Sequence, residues 1–189
     1  MNIQDACTKR INEQRAHFLA MQRAASARLD LDALELLPQE TGYVLLARLA
    51  GLEKALPPRL ERLSGLLSGC DVLRDSVEEA LWQEARDLSW TPAEYVVVKA
   101  ALTPGRIPAL ESALSSQPVL RRYSAGGQAA WLALEQSAAP LEPILSTQGL
   151  NGLVYFGPPG LRRLGQSAGQ PFYQRVKSAL DPARHFAEA

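Results

Sequence analysis

Hydrophobic and polar positions between residues 94 and 156 follow the periods of strands and helices in turn, and the rest of the chain is organised around this stretch. Runs of Val, Ala and Leu predict strands at 94–102, 119–123, 129–135 and 150–156. The two segments between them have apolar residues at helical spacing, which are Ile107, Leu110, Leu114, Leu141, Ile144 and Leu145. The order strand, helix, strand, strand, helix, strand is that of the split βαβ, or ferredoxin-like, arrangement.

Two of these strands carry apolar residues on both faces. One face is expected to form the main core. Its residues are Val96, Val98, Leu132 and Leu134, and Leu153 of the last strand is expected to join them. The residues of the opposite face are Tyr95, Val97, Lys99, Ala129, Trp131 and Ala133. A sheet covered on one face only would alternate apolar with polar residues. We therefore expect the second face, with Arg48 or its neighbours nearby, to be covered by a partner or by a second copy of the chain.

The first half of the chain adds further elements. Strands are predicted at 33–37, 43–50 and 70–74, and helices over Leu52 to Leu67, from Asp75 to Leu88, and at 172–180. Residues 1–28 are predicted to be an N-terminal helical extension, and 29–189 a single α+β domain. The predicted fold is a ferredoxin-like βαββαβ core extended into a mainly antiparallel sheet of about seven strands, with helices chiefly on one face. The sequence shows no internal repeat.

Composition and charge exclude several classes of protein. The 189 residues include 20 basic and 20 acidic side chains spread along the chain, which argues against nucleic-acid or membrane-surface partners. No apolar run is long enough to span a membrane, and the N-terminus lacks the apolar region of a signal peptide. Cys7 and Cys70 match no metal-binding spacing and no CxxC pattern. Two reduced thiols and a cytoplasmic location are expected.

Few residues suggest catalysis. His17 and His185 lie near opposite ends of the sequence, and both are expected at the surface rather than at a metal. Gly126-Gly127 and Gly157-Pro-Pro-Gly160 lack the strand and helix context of a phosphate-binding loop, so they are interpreted as turns. From these residues alone, the chain is expected to be a binding or covering module.

Three segments in this order resemble the C-terminal domain of FAD-linked oxidases of the vanillyl-alcohol-oxidase type. They are Ala33-Leu-Glu-Leu-Leu37, Tyr43-Val-Leu-Leu-Ala-Arg-Leu-Ala-Gly-Leu52 and Glu78-Glu-Ala-Leu-Trp-Gln-Glu-Ala-Arg-Asp-Leu88. The closing Val176-Lys-Ser-Ala-Leu-Asp-Pro182 is similar to the end of that domain. Within the family, the chain is most similar to the smaller flavoprotein subunit of bacterial glycolate oxidase. It lacks the histidine-rich segment of the D-lactate-dehydrogenase-like members.

This resemblance implies a function. The chain would be the substrate-side, or cap, domain of an FAD-dependent 2-hydroxy-acid (glycolate-type) oxidase or dehydrogenase. The alternatives are a non-enzymatic ferredoxin-like module for ligand binding or oligomerisation, and a degenerate or truncated relative. Arg48 and Asp181 align with recurrent positions of the family, and the resemblance makes them candidates for cofactor contacts. Tyr95, Lys99 and Trp131 are the candidates for a face that meets substrate or partner.

The resemblance also leads to an expectation about FAD binding. The family's FAD-binding domain, with its glycine-rich segments for the pyrophosphate, is not part of the sequence. We therefore expect that this chain does not bind FAD alone and is not catalytic alone. Its expected partner is an FAD-binding domain or subunit, or a second copy of the chain through the second sheet face. The tail Asp181-Pro-Ala-Arg-His-Phe186 departs from the family, which has an Asn-Pro-Gly run after the aromatic residue.

Overall fold

The computed structural model describes residues 2–11, 16–166, 169–183 and 185. These residues form nine strands, which make one antiparallel sheet, and six α-helices. The predicted α+β class is therefore confirmed. The strands are β1 (Asn2–Ile11), β2 (Ala33–Pro38), β3 (Tyr43–Leu52), β4 (Asp71–Leu73), β5 (Tyr95–Ala101), β6 (Leu120–Ser124), β7 (Ala129–Glu135), β8 (Asn151–Phe156) and β9 (Arg163–Gly165). The helices are α1 (Ala16–Ser26), α2 (Leu56–Leu66), α3 (Asp75–Asp87), α4 (Ile107–Leu114), α5 (Leu141–Thr147) and α6 (Gln170–Leu180).

Local sequence explains where several helices begin and end. Pro57 lies in the first turn of α2 and Pro108 in the first turn of α4, where a missing backbone N–H leaves no hydrogen bond unmade. Gly149 follows α5 with a φ of +59°, the left-handed conformation that ends a helix at low cost in glycine. Leu88 adopts a similar conformation after α3, with a φ of +57°.

The same strand order occurs twice in the sheet. The order across the sheet is β4-β1-β3-β2-β6-β7-β5-β8-β9, with every pair antiparallel. Each half runs strand, helix, strand, strand, helix, strand along the chain, and its first and third strands are the central pair. The halves meet where β2 pairs with β6 through Leu36 and Tyr123. The structure therefore contains a topological repeat that the sequence does not reveal.

The main core lies on one face of the sheet, here called the first face. Four helices, α1, α2, α4 and α5, contribute buried residues to it. The predicted core residues Val96, Val98, Leu132 and Leu134 are all buried in this cluster, which confirms their assignment. Helix α3 packs on the opposite, second face, where Trp82 contacts the cluster of Ala6 and Leu46. The expectation of helices chiefly on one face is thus correct.

Leu153 corrects the predicted core. Its side chain is 43% exposed, because it pairs with Lys99 and lies on the second face. The neighbouring Gly152 and Val154 face the core instead, and a Cβ on Gly152 would lie only 2.7 Å from a methyl group of Val98. A bulge interrupts the register between β5 and β8 only between Val154 and Phe156, beyond Leu153. The face of Leu153 is set by its pairing with Lys99, and no local pattern fixes that register.

The predicted N-terminal helical extension is also corrected. Residues 2–11 form β1, which pairs with β3 over ten residues and with β4 over three, so this segment lies inside the sheet. The helix begins only at Ala16. Pairing on both sides gives the backbone of β1 its hydrogen-bond partners, and this tertiary context overrides a helix-prone composition. With β1 and the short β9, the predicted count of about seven strands becomes nine.

The two cysteines are joined in the structure, whereas two reduced thiols were expected. Cys7 lies in β1 and Cys70 directly precedes β4, and the two form a disulfide with a Cα–Cα distance of 5.7 Å. They are 63 residues apart in sequence, but the pairing of β1 with β4 brings them together. In the described part of the chain, no helix has the length and apolar character needed to cross a membrane.

Candidate functional site

Helix α3 covers only part of the second face. Its Glu78 accepts a hydrogen bond from Arg48 of β3, with 2.6 Å between Nε and Oε1. The Arg48 guanidinium also lies 5.5 Å from the ring centroid of Trp82, a cation–π geometry. Because Glu78 is almost fully buried, this pair holds α3 against the sheet. Arg48, a candidate for cofactor contact, therefore has a structural role in addition to any binding role.

Over β5 and β7 the second face is partly covered, because Val97 and Ala133 are buried in a cluster with Leu88 at the end of α3 and Trp90 beyond it. Trp131, Tyr155 and Phe156 form what we call the aromatic patch, with ring centroids 5.2 Å apart for the first pair and 5.8 Å for the second. Tyr155 and Phe156 are each 53% exposed. Leu153 extends the same apolar surface. The sequence predicted that a partner or a second copy covers this face. Part of it is covered by the chain's own α3 and the residues after it, and cover of the rest by a partner stays a prediction.

Between α3 and the aromatic patch lies a cavity of about 440 Å³, here called the second-face cavity. Strands β2, β3, β5, β6, β7 and β8 and the end of α3 all contribute to its wall. Its lining residues are Glu35, Arg48, Trp82, Ala85, Arg86, Leu88, Trp90, Lys99, Arg122, Ser124, Trp131 and Tyr155. The site is therefore assembled from residues that are far apart in sequence.

A buried ion pair between β2 and β6 forms part of this wall. The Arg122 side chain is 4% exposed and that of Glu35 12%, and Arg122 Nε donates a hydrogen bond to Glu35 Oε2. Burial raises the pKa of the Glu35 carboxyl above its ordinary value, and the adjacent Arg122 opposes this shift without cancelling it. The pair is neutral as a whole, and it places the Arg122 guanidinium beside the Glu35 carboxyl in the cavity wall.

Three buried N–H donors around the cavity find no acceptor among the described residues. They are Arg122 Nη2, Trp82 Nε1 and Trp90 Nε1, and all three residues line the cavity. Trp131, by contrast, donates its Nε1–H to Ser124 Oγ at 3.0 Å. The great majority of buried donors in proteins are paired. These three N–H groups are themselves closed off from solvent, so their missing acceptors are a feature of the packing behind the cavity wall and not of its open space.

The structure brings three of the predicted site residues to the same cavity. Arg48, Lys99 and Trp131 all line the second-face cavity, and Lys99 Nζ lies 4.8 Å from the ring centroid of Trp131. Lys99 also pairs with Trp131 across β5 and β7, which confirms the predicted second-face assignment of both strands. Tyr95 belongs to the apolar cluster beside the cavity, with Leu88 and Trp90, and is not part of its lining.

Asp181 lies outside this site. It follows α6, where its backbone N–H donates to Lys177 O at 2.7 Å and its carboxylate accepts the backbone N–H of His185 at 2.7 Å. These bonds hold the chain at the end of α6, and Asp181 is not among the lining residues of the cavity. The structure therefore gives no support to Arg48 and Asp181 as parts of one cofactor site.

Sequence reasoning missed Glu35, Arg122, Trp90 and Tyr155 as site residues. A signal for Arg122 was available, because strict alternation in the predicted strand 119–123 puts it on the face opposite Tyr123. In the structure Tyr123 is in the main core and Arg122 pairs with Trp131 on the second face. For Tyr155 no such signal existed, since it lies at the irregular part of the β5–β8 register.

A second polar cluster is buried on the first face. Arg121 of β6 donates to both carboxylate oxygens of Glu111 on α4, at 2.8 and 2.9 Å. The hydroxyl of Tyr43 donates to the same carboxylate at 3.0 Å, and the hydroxyl of Tyr123 donates to it as well. Burial and the carboxylate both raise the pKa of each tyrosine far above its ordinary value, so the hydroxyls stay protonated as donors. This cluster joins α4 to both halves of the sheet.

The first face also holds His17, which was expected at the surface. Its ring is fully buried and stacks on Tyr43 with 3.7 Å between ring centroids. Among the described residues, no group of three or more His, Cys, Asp or Glu side chains is placed to hold a metal ion. No protein-family model matches the chain, and a search of curated proteins gave no match. The site itself must therefore carry any functional argument.

Proposed function

We propose that this chain is the substrate-side domain of an FAD-dependent 2-hydroxy-acid oxidase or dehydrogenase, and that it acts with an FAD-binding domain or subunit. The observation that carries the proposal is the open part of the second sheet face. There an aromatic patch borders a cavity whose lining has four basic side chains and one acidic side chain. An exposed apolar surface of this kind is typical of a contact site, and the basic lining suits a carboxylate substrate.

Each half of the sheet is proposed to be a ferredoxin-like unit. The repeated order of strands and helices supports this assignment, as do the antiparallel pairs and the position of the first and third strands at the centre of each half. The second-face cavity then lies near the junction of the two units, because Glu35 is in β2 and Arg122 in β6. A fold of this kind hosts many activities, so the proposal depends on the site rather than on the fold.

Two glycines, Gly127 and Gly157, suit packing better than a pyrophosphate cradle. A Cβ on Gly127 would lie 2.6 Å from Met21 Cε, and a Cβ on Gly157 would lie 2.8 Å from a methyl group of Val154. Phosphate cradles need glycines whose backbone is open to the ligand. These positions are closed by side chains of the core instead. Gly127 and Gly157 therefore do not fit the phosphate end of FAD, and in this proposal the partner holds the cofactor.

In the proposed complex, the bound flavin supplies the hydride chemistry. This chain's part is to cover the site and to bind the substrate. The aromatic patch would exclude water where the partner sits, and the basic residues of the second-face cavity would attract and hold the carboxylate of a 2-hydroxy acid.

The second candidate function is a non-enzymatic module that binds a ligand or self-associates. The exposure of Leu153, Tyr155 and Phe156 favours it, because these residues could bury one another across two copies of the chain. In that case the aromatic patch would be the centre of a symmetric dimer, and no flavoprotein would be required.

The isolated chain is expected to purify without colour and to remain free of flavin when FAD is added. The physical reason is that core side chains close Gly127 and Gly157, which belong to the two glycine segments of the sequence. Gel filtration after incubation with FAD, with visible absorption and light scattering recorded on the same peak, measures flavin content and mass together.

A peak with stoichiometric flavin would overturn the expectation that a partner holds the cofactor. The masses of two variants, measured in the same way, distinguish the two candidate functions. If Tyr155→Glu turns a dimer into a monomer while Leu19→Glu does not, the self-association candidate gains support. Leu19 is a suitable control because it is similarly exposed, at 52%, and lies on α1.

A further inference from the structure

Helix α6 has an apolar stripe that the described chain leaves exposed. The stripe is formed by Phe172, Val176 and Leu180, which are four residues apart and therefore share one side of the helix, with Tyr173 next to them. Phe172 is 64% exposed and Leu180 79%. Between residues 171 and 180, no residue of α6 is buried. Helices of globular proteins usually turn such a stripe toward the core, so this one is available for contact with something outside the chain.

Basic side chains border this stripe on both sides. Because an α-helix has about 3.6 residues per turn, Arg175 lies at one border and Lys177 at the other. The Arg175 guanidinium lies 6.0 Å from the ring centroid of Phe172. Long basic side chains can lay their carbon chains along an apolar surface and keep the charge in a polar layer. An apolar stripe bordered by basic residues is typical of a helix that lies in the interface of a membrane.

Beside the first turn of α6 lies a cavity of about 490 Å³, here called the α6 cavity. Its described lining contains Tyr173 of the helix together with Arg106 and Arg163, and no acidic side chain. Both arginines are exposed. Arg106 donates a hydrogen bond to the backbone oxygen of Gln148, which directs its guanidinium, and Arg163 forms no ion pair with any described residue. The cavity therefore offers two accessible positive charges beside the stripe.

The charges around α6 differ from those of the whole chain, where 20 basic and 20 acidic residues balance. Residues 157–183 include four basic side chains and one acidic side chain, Asp181, which is buried and accepts the backbone N–H of His185. The four basic residues are Arg162, Arg163, Arg175 and Lys177. Glu142 of α5 also reaches this region, where its carboxylate accepts the backbone N–H of Gly165 at 2.9 Å. Positive charge is therefore in excess here, which suits an anionic partner.

We propose that α6 and the α6 cavity bind the surface of a membrane that contains anionic phospholipids. The apolar stripe enters the boundary between headgroups and acyl chains, and Arg106 and Arg163 bind a lipid phosphate, whose geometry matches the guanidinium group. A second copy of the chain fits less well, because two α6 stripes in contact would bring Arg175 and Lys177 of both copies together. The α6 cavity shares no lining residue with the second-face cavity, so lipid binding here is independent of the proposed function and requires no flavin.

Sedimentation of the full chain with lipid vesicles measures this binding. Vesicles of phosphatidylglycerol and phosphatidylcholine in equal parts are compared with vesicles of phosphatidylcholine alone. We expect the chain to sediment with the first kind and to stay in solution with the second. Sodium chloride should release the chain from the anionic vesicles, because salt screens the attraction between exposed charges.

Substitutions in the stripe and in the cavity test the two parts of the surface. Phe172→Glu and Leu180→Glu should each weaken binding to the anionic vesicles by about tenfold or more, because burial of a large apolar side chain is lost. Leu19→Glu is the matched control, since Leu19 is exposed on α1. Arg163→Gln should weaken binding about fivefold, the effect of one basic residue near an anionic surface, and Arg23→Gln, at an exposed arginine of α1, is its control. Circular dichroism checks that each variant keeps its fold.

Sedimentation that is absent with anionic vesicles, equal with both kinds of vesicle, or unchanged in the Phe172 and Arg163 variants would overturn the proposal. If the chain failed to sediment but bound inorganic phosphate in calorimetry, with chloride at equal ionic strength as the reference, the cavity would be a site for free phosphate and not for lipid. If it failed to sediment and light scattering showed a dimer that Phe172→Glu separated into monomers, a second copy would cover the stripe instead. These measurements contain no flavin and no partner, so a failure of the proposed function would leave their outcome unchanged.

Discussion

Replacing Glu111 with alanine is expected to lower the free energy of unfolding by about 3 kcal/mol, the lower end of the range for breaking a buried charge pair. The variant would leave Arg121 and the hydroxyls of Tyr43 and Tyr123 without their shared acceptor. Arg121 can still reach water, because its side chain is 22% exposed, and this limits the cost. The two tyrosines are buried and have no such relief.

Urea unfolding followed by circular dichroism measures this loss. Glu61→Ala is the matched control, because Glu61 is an exposed glutamate on α2, and its removal should change stability by no more than about 0.5 kcal/mol. If the Glu111 variant behaved like this control, the cluster would not join α4 to the sheet in the way described. A changed slope of free energy against urea would instead indicate that only part of the fold unfolds cooperatively.

Leu132→Ala is expected to cost about 2–5 kcal/mol, the range for removing a large side chain from a core. Leu132 is fully buried in β7, between β6 and β5, and belongs to the main core under the helices of the first face. The cavity left by truncation would be surrounded by paired strands that cannot easily collapse into it.

Leu153→Ala provides the comparison for this prediction. The same chemical change at a half-exposed leucine of β8 should cost no more than about 0.5 kcal/mol. Equal losses at the two positions, measured by the same urea unfolding, would contradict the assignment of Leu132 to the core face and Leu153 to the second face.

The parts of the fold that local patterns specify were predictable from sequence. The strand 129–135 has the predicted bounds, and Gly149 ends α5 as expected. The opposite faces of Lys99 and Val98 followed from the two-residue period of a strand, and the structure confirms them. These features depend on residues close together in the chain, so their physical cause is visible in the sequence itself.

The parts that depend on distant pairing were not predictable. Residues 2–11 look helix-prone alone, and only β3 and β4 make them a strand. Cys7 meets Cys70 for the same reason. The pairing of Leu153 with Lys99 decides that Leu153 is exposed. In each case the deciding hydrogen bonds come from another segment, whose register no local pattern fixes.

Part of the candidate site was likewise predictable from sequence, and part was not. Lys99 and Trp131 were placed on one face correctly because their strands alternate regularly. Arg122 and Trp90 were missed because their role depends on where β6 and the end of α3 lie relative to β7. The repeated topology of the two halves was hidden as well, since each half builds its core from a different set of residues.

The most direct test of the account is the flavin content of the complex that this chain forms in its native cells. The full chain, tagged and purified under mild conditions, is expected to carry with it a protein whose FAD is bleached by glycolate or another 2-hydroxy acid without oxygen. Tyr155→Glu should remove that partner, and Leu19→Glu, equally exposed but on α1, should retain it. A complex without flavin, or flavin retained equally by both variants, would contradict the account.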